Sequence, residues 1–520
     1  MISAGGEACP AHRDFVTGDH ETHTSGAVVT APAEKVQGSA RGLSGRLQEA
    51  LSGEAGIEGV CWVLGGRPLR RVIREELRGL LSNPSHLGPC VLRRAKFKPG
   101  RKLTAYFDVG LAAGTRSSRS IAVTWQPEGS SGLSSQDPSE VDLESEAVAE
   151  GVAAPFSRLS ARDPHLGMRI LVAPLDAAYP QLVRVSNPSH VAALVTRLME
   201  DSADGSSPER PSAVDVTAVR YRPGQRHVLR YDCFAPDGRI QSGGTLFAKL
   251  YSNGEDIAAF RVATGIADWV SSSTDASAIR PLAHLREEGL IIYPKLAGAP
   301  LSHYPAARAA KPLAQAGAVL RALQQAPVAL FEDVRPHSFA GEARAVARAA
   351  EHVKPLFPAA GAAIDNILER ATAVETRLPG EPPVLAHGDY KADHVWVGQG
   401  GITLIDFNTC SLADPALDLG KFLADLHWWY AAGGEEQLRS VQRSFLEGYG
   451  QIEPGRLLRA RLYEVLILTK ITVRRVRLFD RRWASKTDGL LRRAEGLLAD
   501  LDEAVRRSGR EEAAGARAGL

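Results

Sequence analysis

Val384-Leu385-Ala386-His387-Gly388-Asp389-Tyr390-Lys391-Ala392-Asp393-His394-Val395-Trp396-Val397, a glycine turn, Ile402-Thr403-Leu404-Ile405-Asp406-Phe407 and, shortly after, Asp414-Pro415-Ala416-Leu417-Asp418-Leu419 form the stretch on which the fold turns. Two short apolar runs flanking a glycine turn read as paired strands. The pattern therefore places two carboxylates, Asp389 and Asp406, at the ends of two paired strands. One carboxylate so placed can take a proton from a hydroxyl, and the other can hold a metal ion. Chemistry of this kind is built from positioning and charge.

Outward from that stretch, two earlier segments resemble each other. They are Arg94-Ala95-Lys96-Phe97-Lys98-Pro99-Gly100-Arg101-Lys102-Leu103-Thr104-Ala105-Tyr106 and Val219-Arg220-Tyr221-Arg222-Pro223-Gly224-Gln225-Arg226-His227-Val228-Leu229-Arg230-Tyr231. Each reads as strand, Pro-Gly turn, strand. Each is followed by a loop and a further apolar strand, Ile121 to Trp125 and Thr245 to Tyr251. Ile170-Leu171-Val172-Ala173-Pro174-Leu175 is echoed by Ile291-Ile292-Tyr293-Pro294-Lys295-Leu296. The repetition predicts a duplicated β-rich unit, near 90–190 and 213–300. The second copy carries Lys249 inside its third strand, where the first has Thr124 or Trp125. A lysine in a buried strand needs an anionic partner.

Beyond residue 303 alanine, leucine and arginine dominate. Helical periodicity covers 305–326, 339–376, 416–432, 434–449, 454–480 and 486–506. Low-complexity segments at 201–211 and 127–139 read as a linker and a loop. Arginines from Arg456 to Arg482 and around Arg492 alternate with apolar residues at helical spacing, which reads as a solvated helix face.

The chain has 520 residues, 44% of them hydrophobic, which suits a globular protein of two or three domains. A formal net charge of +2 makes no case for nucleic acid as a partner. The five cysteines, Cys9, Cys61, Cys90, Cys233 and Cys410, are scattered and lack paired metal spacing, so a reducing cytoplasm is expected. No window approaches the ~18 apolar residues of a membrane span, and no membrane partner is expected. The N-terminal stretch lacks the apolar core of a signal peptide.

Lys249, His387-Gly388-Asp389, Ile405-Asp406-Phe407 and Asp414 to Leu419 stand in the order found in the aminoglycoside phosphotransferase and choline kinase family. The chain resembles these protein-kinase-like small-molecule kinases over roughly 215–480. The resemblance implies an α+β, bilobal protein-kinase-like fold, with a β-rich N-lobe and a helical C-lobe, preceded by a degenerate N-lobe-like copy. The expected division is a disordered tail over 1–37, a cap domain resembling a degenerate N-lobe over 38–200, an ATP-binding N-lobe over 212–300, a helical C-lobe over 301–507 and a flexible tail over 508–520.

By that resemblance the expected activity is ATP-dependent transfer of a γ-phosphate to a hydroxyl of a small molecule, such as an antibiotic, a sugar or a related metabolite. Asp389 would be the catalytic base and Asp406 the Mg²⁺ ligand. His394 stands where the family usually has Asn, a second ligand. Mg²⁺ disfavours nitrogen, so His394 either ligates, with Mn²⁺ suited to it, or packs against backbone. Lys249 would pair with ATP phosphates, helped by an acidic residue at the start of the next helix, Glu255 or Asp256. Gly224 would lie over the phosphates. Tyr293 and Leu296 fall in the segment that resembles the hinge facing adenine, with Leu296 as the expected donor because Pro294 has no N–H. Asp418 would buttress the catalytic loop, and His427 to Tyr430 read as core. Kinases of cationic antibiotics need an acidic pocket. The arginine-rich helices favour a neutral or anionic acceptor instead. The alternative reading is a nucleotide-binding pseudokinase or a regulatory scaffold without turnover. The oligomeric state is left open.

Overall fold

Helices α1 (Ala40–Ser52), α2 (Gly56–Gly65) and α3 (Arg67–Leu80) lead into the first sheet. In α3 the buried residues Leu69, Ile73, Leu77 and Leu80 recur at three- and four-residue spacing, so one stripe faces the core and the arginines between them face outward. The computed structural model describes residues 40–112, 117–129, 138–201 and 210–518. The tail expected over 1–37 and most of the 127–139 and 201–211 segments lie outside those residues.

The first sheet contains β1 (Leu87–Lys98), β2 (Lys102–Leu111), β3 (Ser117–Trp125), β4 (Ser160–Asp163) and β5 (Met168–Val172), in the order β1-β2-β3-β5-β4. Helix α4 (Pro138–Ala149) lies between β3 and β4 in sequence; α5 (Gln181–Arg184) and α6 (Pro188–Asp201) follow β5. The second sheet uses β6 (Ala213–Arg220), β7 (Val228–Phe234), β8 (Ile240–Leu250), β10 (Ala283–Leu285) and β11 (Leu290–Pro294). Its order, β6-β7-β8-β11-β10, repeats that of the first, and α7 (Glu255–Ser273) follows its third strand as α4 follows β3. Register narrows the residue that matches Lys249. Val228 pairs with Lys249 as Leu103 pairs with Trp125, and Trp125 is fully buried. The turns differ. The β1–β2 turn is a tight Pro-Gly turn, whereas seven residues, 221–227, separate β6 from β7.

Those seven residues are held by the first sheet's C-terminal extension. The Tyr221 hydroxyl donates to the Leu175 carbonyl at 2.5 Å, and the Gly224 N–H donates to Asp176 Oδ2 at 2.7 Å. The same Asp176 oxygen lies 2.7 Å from Nε2 of fully buried His227. Further along, the Tyr231 hydroxyl donates to the Val185 carbonyl at 2.9 Å, and Arg184 pairs with Glu288 at 2.6 Å.

A four-stranded sheet in the order β12-β14-β15-β9 joins β9 (Ser277–Ala278), β12 (Ala299–Pro300), β14 (Val395–Gly398) and β15 (Gly401–Leu404), and β13 (Val384–Ala386) pairs with β16 (Ser411–Ala413). The rest is helical: α8 (Ala306–Gln324), α9 (Phe339–Ala350), α10 (Val353–Leu356), α11 (Pro358–Glu375), α12 (Ala416–Tyr430), α13 (Glu435–Tyr449), α14 (Pro454–Arg474) and α15 (Trp483–Ala518). The helical stretch expected over 339–376 is three helices; Pro358 disfavours helical geometry at Phe357, which separates α10 from α11. Helices α8 and α13 meet backbone to backbone. A Cβ on Gly317 would sit 2.1 Å from the Phe445 carbonyl oxygen, so nothing larger than glycine fits. Helix α15 runs to Ala518, beyond the end expected near 506.

The arginines of α14 correct the reading of a solvated face. Arg459 is buried and pairs with Asp414 at 2.8 Å and with Glu381; Arg456 also binds Glu381. Helical spacing cannot distinguish water from a facing carboxylate as the partner of an arginine. Among the described residues no helix is long and apolar enough to cross a membrane.

Asp176→Ala would leave buried His227 without its carboxylate, and urea unfolding should register a loss of about 1–3 kcal/mol. Unchanged stability would mean that this contact does not brace the 221–227 loop.

Candidate active site

The loop after β13 is shaped by its glycine and by one buried carboxylate. Gly388 adopts φ +75°, and a Cβ there would lie 1.9 Å from the Thr409 carbonyl oxygen. Asp418, on the first turn of α12, is fully buried. Its Oδ2 accepts the His387 N–H at 2.6 Å and its Oδ1 accepts the Gly388 N–H at 3.0 Å. Burial pushes the Asp418 carboxyl up, while His387, Lys421 and the two N–H bonds oppose the shift. One helical turn on, Lys421 Nζ donates to the Gly388 carbonyl at 2.5 Å. The Ala392 N–H donates to Asp425 Oδ2 at 2.7 Å, and Arg475 holds Asp425 at 2.5 Å. The buttress expected of Asp418 thus has a physical form: a helix-borne carboxylate gathers consecutive backbone donors of the loop.

Asp389 and Asp406 lie at the same end of the β14–β15 hairpin. Val395 pairs with Leu404, so the residues before β14 and those after β15 converge. His394 joins the two. Its Nδ1 is 2.9 Å from the Asp389 carbonyl oxygen and 3.7 Å from Asp389 Oδ2, and its Nε2 is 3.8 Å from Asp406 Oδ2. Burial, aided by Lys391, holds the imidazole well below its ordinary pKa, so it is neutral near pH 7. In the tautomer that donates Nδ1–H to the Asp389 carbonyl, the Nε2 lone pair faces Asp406.

Both carboxylates are ionised. Burial raises Asp389, but His394, Lys391 and Lys421 outweigh it and leave the group below the ordinary range. Burial likewise raises Asp406, and Lys249 and His394 reverse the shift. Asp406 Oδ1 takes an ion pair from Lys249 Nζ at 3.1 Å and a hydrogen bond from the Asn408 amide. Its backbone is left-handed, φ 65° and ψ 66°, a costly conformation for a non-glycine residue.

Lys249 is buried in β8, and burial lowers it to about 8 although Asp406 pulls the other way. Its partner is thus Asp406 rather than an acid of α7. Glu255 faces Arg226 at 3.7 Å, with 57% of its side chain exposed, and Asp256 bonds His284 at 2.5 Å. Tyr293 pairs with Phe247 across β11 and β8, and both Tyr293 and Leu296 pack on the core. The Gly224 N–H, expected over phosphates, is engaged by Asp176.

Sequence reasoning missed several contributors. Lys391 Nζ pairs with Asp389 Oδ2 at 2.7 Å, and the Tyr251 hydroxyl donates to Asn408 at 2.7 Å. Lys391 and Asn408 each stand two residues after a key aspartate, and that proximity was the available signal.

Residues 239–454 match the model of the phosphotransferase enzyme family, APH. The match covers less than half of the chain. The matched segment contains Lys249, Gly388, Asp389, His394, Asp406 and Lys421, whereas Gly224 and Asp176 lie before it. Among solved structures, the chain is similar to spectinomycin phosphotransferase APH(9)-Ia in complex with ADP and spectinomycin, at 15% identity, over 60% of this chain and 98% of that one, with a TM-score of 0.41. It is similar to a choline/ethanolamine kinase family protein from Mesorhizobium loti, at 15% identity, over 61% and 99% of the two chains, with a TM-score of 0.38. It is also similar to macrolide 2'-phosphotransferase MphH from Brachybacterium faecium, at 17% identity, over 57% and 96%, with a TM-score of 0.36. Among curated proteins none matches the chain.

In the matched segment, Asp418→Ala would leave the His387 and Gly388 N–H groups unpaired. Each buried donor so exposed costs about 1–3 kcal/mol, a loss that urea unfolding will measure. A variant as stable as the parent would remove Asp418 from its buttress role.

Proposed function

We propose that the chain transfers the γ-phosphoryl group of ATP to a hydroxyl of a small molecule, with Asp389 as the base. The observation that carries this reading is the pair of ionised carboxylates, Asp389 and Asp406, meeting at neutral His394, with Lys249 on Asp406. The second sheet would be the nucleotide lobe and residues 301–507 the acceptor lobe. The first sheet would be a degenerate copy of the nucleotide lobe, with apolar Trp125 in place of Lys249. Their shared strand order supports that reading.

In the proposed step the acceptor hydroxyl oxygen attacks the γ-phosphorus. The bond from that phosphorus to the β–γ bridging oxygen breaks, and ADP leaves. The hydroxyl proton passes to Asp389. A depressed pKa makes Asp389 a weak base that is always ionised, which suits a loose transition state in which the proton moves late. Lys391 would hold the aspartate's rotamer. Lys249 would exchange part of its contact with Asp406 for phosphate oxygens. The donor set fits a divalent cation. The Asp406 carboxylate, with phosphate oxygens and water, suits Mg²⁺, and the His394 Nε2 lone pair suits Mn²⁺ better. Such an ion, when bound, neutralises charge on the phosphates. A scaffold without turnover would have no chemical need for both aspartates. The free cysteines among the described residues, Cys61, Cys90, Cys233 and Cys410, accord with the proposed cytoplasmic setting.

Asp389→Asn should reduce kcat by about 10²–10⁴-fold while ATP binding persists. Asp406→Asn should abolish metal-dependent nucleotide stabilisation, read as the melting shift with ATP and Mg²⁺ or Mn²⁺. Full turnover by Asp389→Asn would exclude the assigned base.

Lys249 adds a pH signature. Its free-state pKa of about 8 means that it is protonated, and attractive to phosphate, below that pH. Above it, binding must be accompanied by proton uptake, so ATP affinity should fall by about tenfold per pH unit. A calorimetric Kd that stays flat from pH 7 to above 9 would contradict a phosphate-binding Lys249.

A further inference from the structure

Three separate segments bring cations into one another's fields, one of them close to Asp406. Strand β1 carries Arg94 and Lys96, the end of β6 and the following loop carry Arg220 and Arg222, and the C-terminal end of α14 carries Arg474. Arg94, Arg220 and Arg222 gather around Tyr106, the register partner of Arg94, and Arg474 stands within the field of Arg94 and Lys96. The Arg222 guanidinium lies over the Tyr106 ring, 6.0 Å from its centroid. Arg220 Nε is buried without a hydrogen-bond partner and stands within the field of Asp406. None of these five has a carboxylate within ion-pair distance among the described residues. The carboxylates nearby are already engaged: Asp406 by Lys249, Asp389 by Lys391, Asp425 by Arg475, and Glu342 by Lys470 and Lys421.

Like charges gathered without counter-ions destabilise one another, and a half-buried guanidinium loses hydration as well. The physical consequence is visible. Burial and the charges of Arg94 and Arg220 lower Arg222 to about 9, and burial with Arg220, Arg474 and Arg477 lowers Arg94. Yet Arg94, Lys96 and Arg474 keep solvent-accessible surface, so an anion from solution can reach them. A site of this kind gains stability when an anion enters it.

We propose that Arg94, Lys96, Arg220, Arg222 and Arg474 form an anion-binding wall on the acceptor side of the cleft, and that the acceptor carries a phosphate or carboxylate group beside the hydroxyl that is phosphorylated. The proposal rests on the phosphotransferase reading above and specifies its substrate class. It also gives the first sheet a role: β1 supplies two of the five cations, all of which lie outside the matched segment, 239–454. The same chemistry could instead serve the nucleotide's own phosphates, so the test separates the two sources.

Inorganic phosphate, glucose 6-phosphate and glucose would each be titrated by calorimetry into the full chain, first alone and then saturated with ADP and Mg²⁺. Arg94→Gln/Arg222→Gln and Lys96→Gln/Arg474→Gln would be compared with the parent. Each pair joins one β1 residue to a residue of another segment, the loop after β6 or the end of α14, and melting curves would confirm that each variant folds. Phosphate and glucose 6-phosphate should bind the ADP-loaded parent, and glucose should not. Each double variant should weaken the anions by about tenfold or more, with ADP affinity held within about twofold. Phosphate excluded by ADP, with ADP affinity falling in the variants, would assign the cations to the nucleotide and overturn the proposal. Phosphate binding that is absent in the parent, or unchanged in both variants, would overturn it too. A parent that binds phosphate but no nucleotide would refute the phosphotransferase reading and leave the anion site standing.

Discussion

The ion pair between Lys249 and Asp406 is the contact around which the site is arranged. Lys249 is 3% exposed, in the middle of a sheet, and a buried ammonium without a counter-ion would lose its proton or the strand would lose its place. Asp406 supplies that counter-ion from the end of β15, 157 residues further along the chain. Removing either partner of a buried pair typically costs about 3–5 kcal/mol, because the other charge is left stranded. The pair therefore ties the second sheet to the hairpin that carries the candidate site. It also makes the unusual backbone of Asp406 intelligible. A left-handed aspartate is held because Lys249 and Asn408 grip its carboxylate, with His394 close by.

From this pair outward, the chain solves the same electrostatic problem repeatedly. Asp418 gathers two loop N–H groups, Asp425 gathers a third and is neutralised by Arg475, and Glu342 is shared by Lys421 and Lys470. Each buried acid is matched. The cations around Tyr106 are the exception, and their lack of acidic partners stands out because the nearby carboxylates are engaged elsewhere. A net charge of +2 over the whole chain conceals this local excess entirely. Overall charge limits bulk association with polyanions, while the field inside a cleft is set by which charges face it.

Much of the architecture was legible in local patterns. The alternation and Pro-Gly turns at 94–106 and 219–231 correctly foretold two similar sheet edges, and periodicity beyond 303 foretold helices. Where local signals misled, the cause was tertiary. The stretch over 339–376 carries one helical rhythm, but Pro358 divides it. The arginines of α14 have the spacing of a wet face, yet Arg459 is buried against Asp414 and Glu381, 45 and 78 residues away. The loop over 221–227 resembles its tight counterpart in sequence, but Asp176 reaches in and holds it in another form.

The sequence by itself determined the types and order of the reactive groups: a buried-strand lysine, two aspartates at strand ends, a histidine five residues after the first, and an aspartate opening a helix. Such features are local, because a strand's pattern and a turn's glycine are set by neighbours a few residues apart. Only the tertiary structure decided which charge meets which. It paired Lys249 with Asp406 rather than Glu255, seated His394 between the two aspartates, gave the Gly224 N–H to Asp176, and left Arg94, Arg220 and Arg222 facing one another. Coulomb energy depends on separation in space, and chain folding sets those separations over scores of residues.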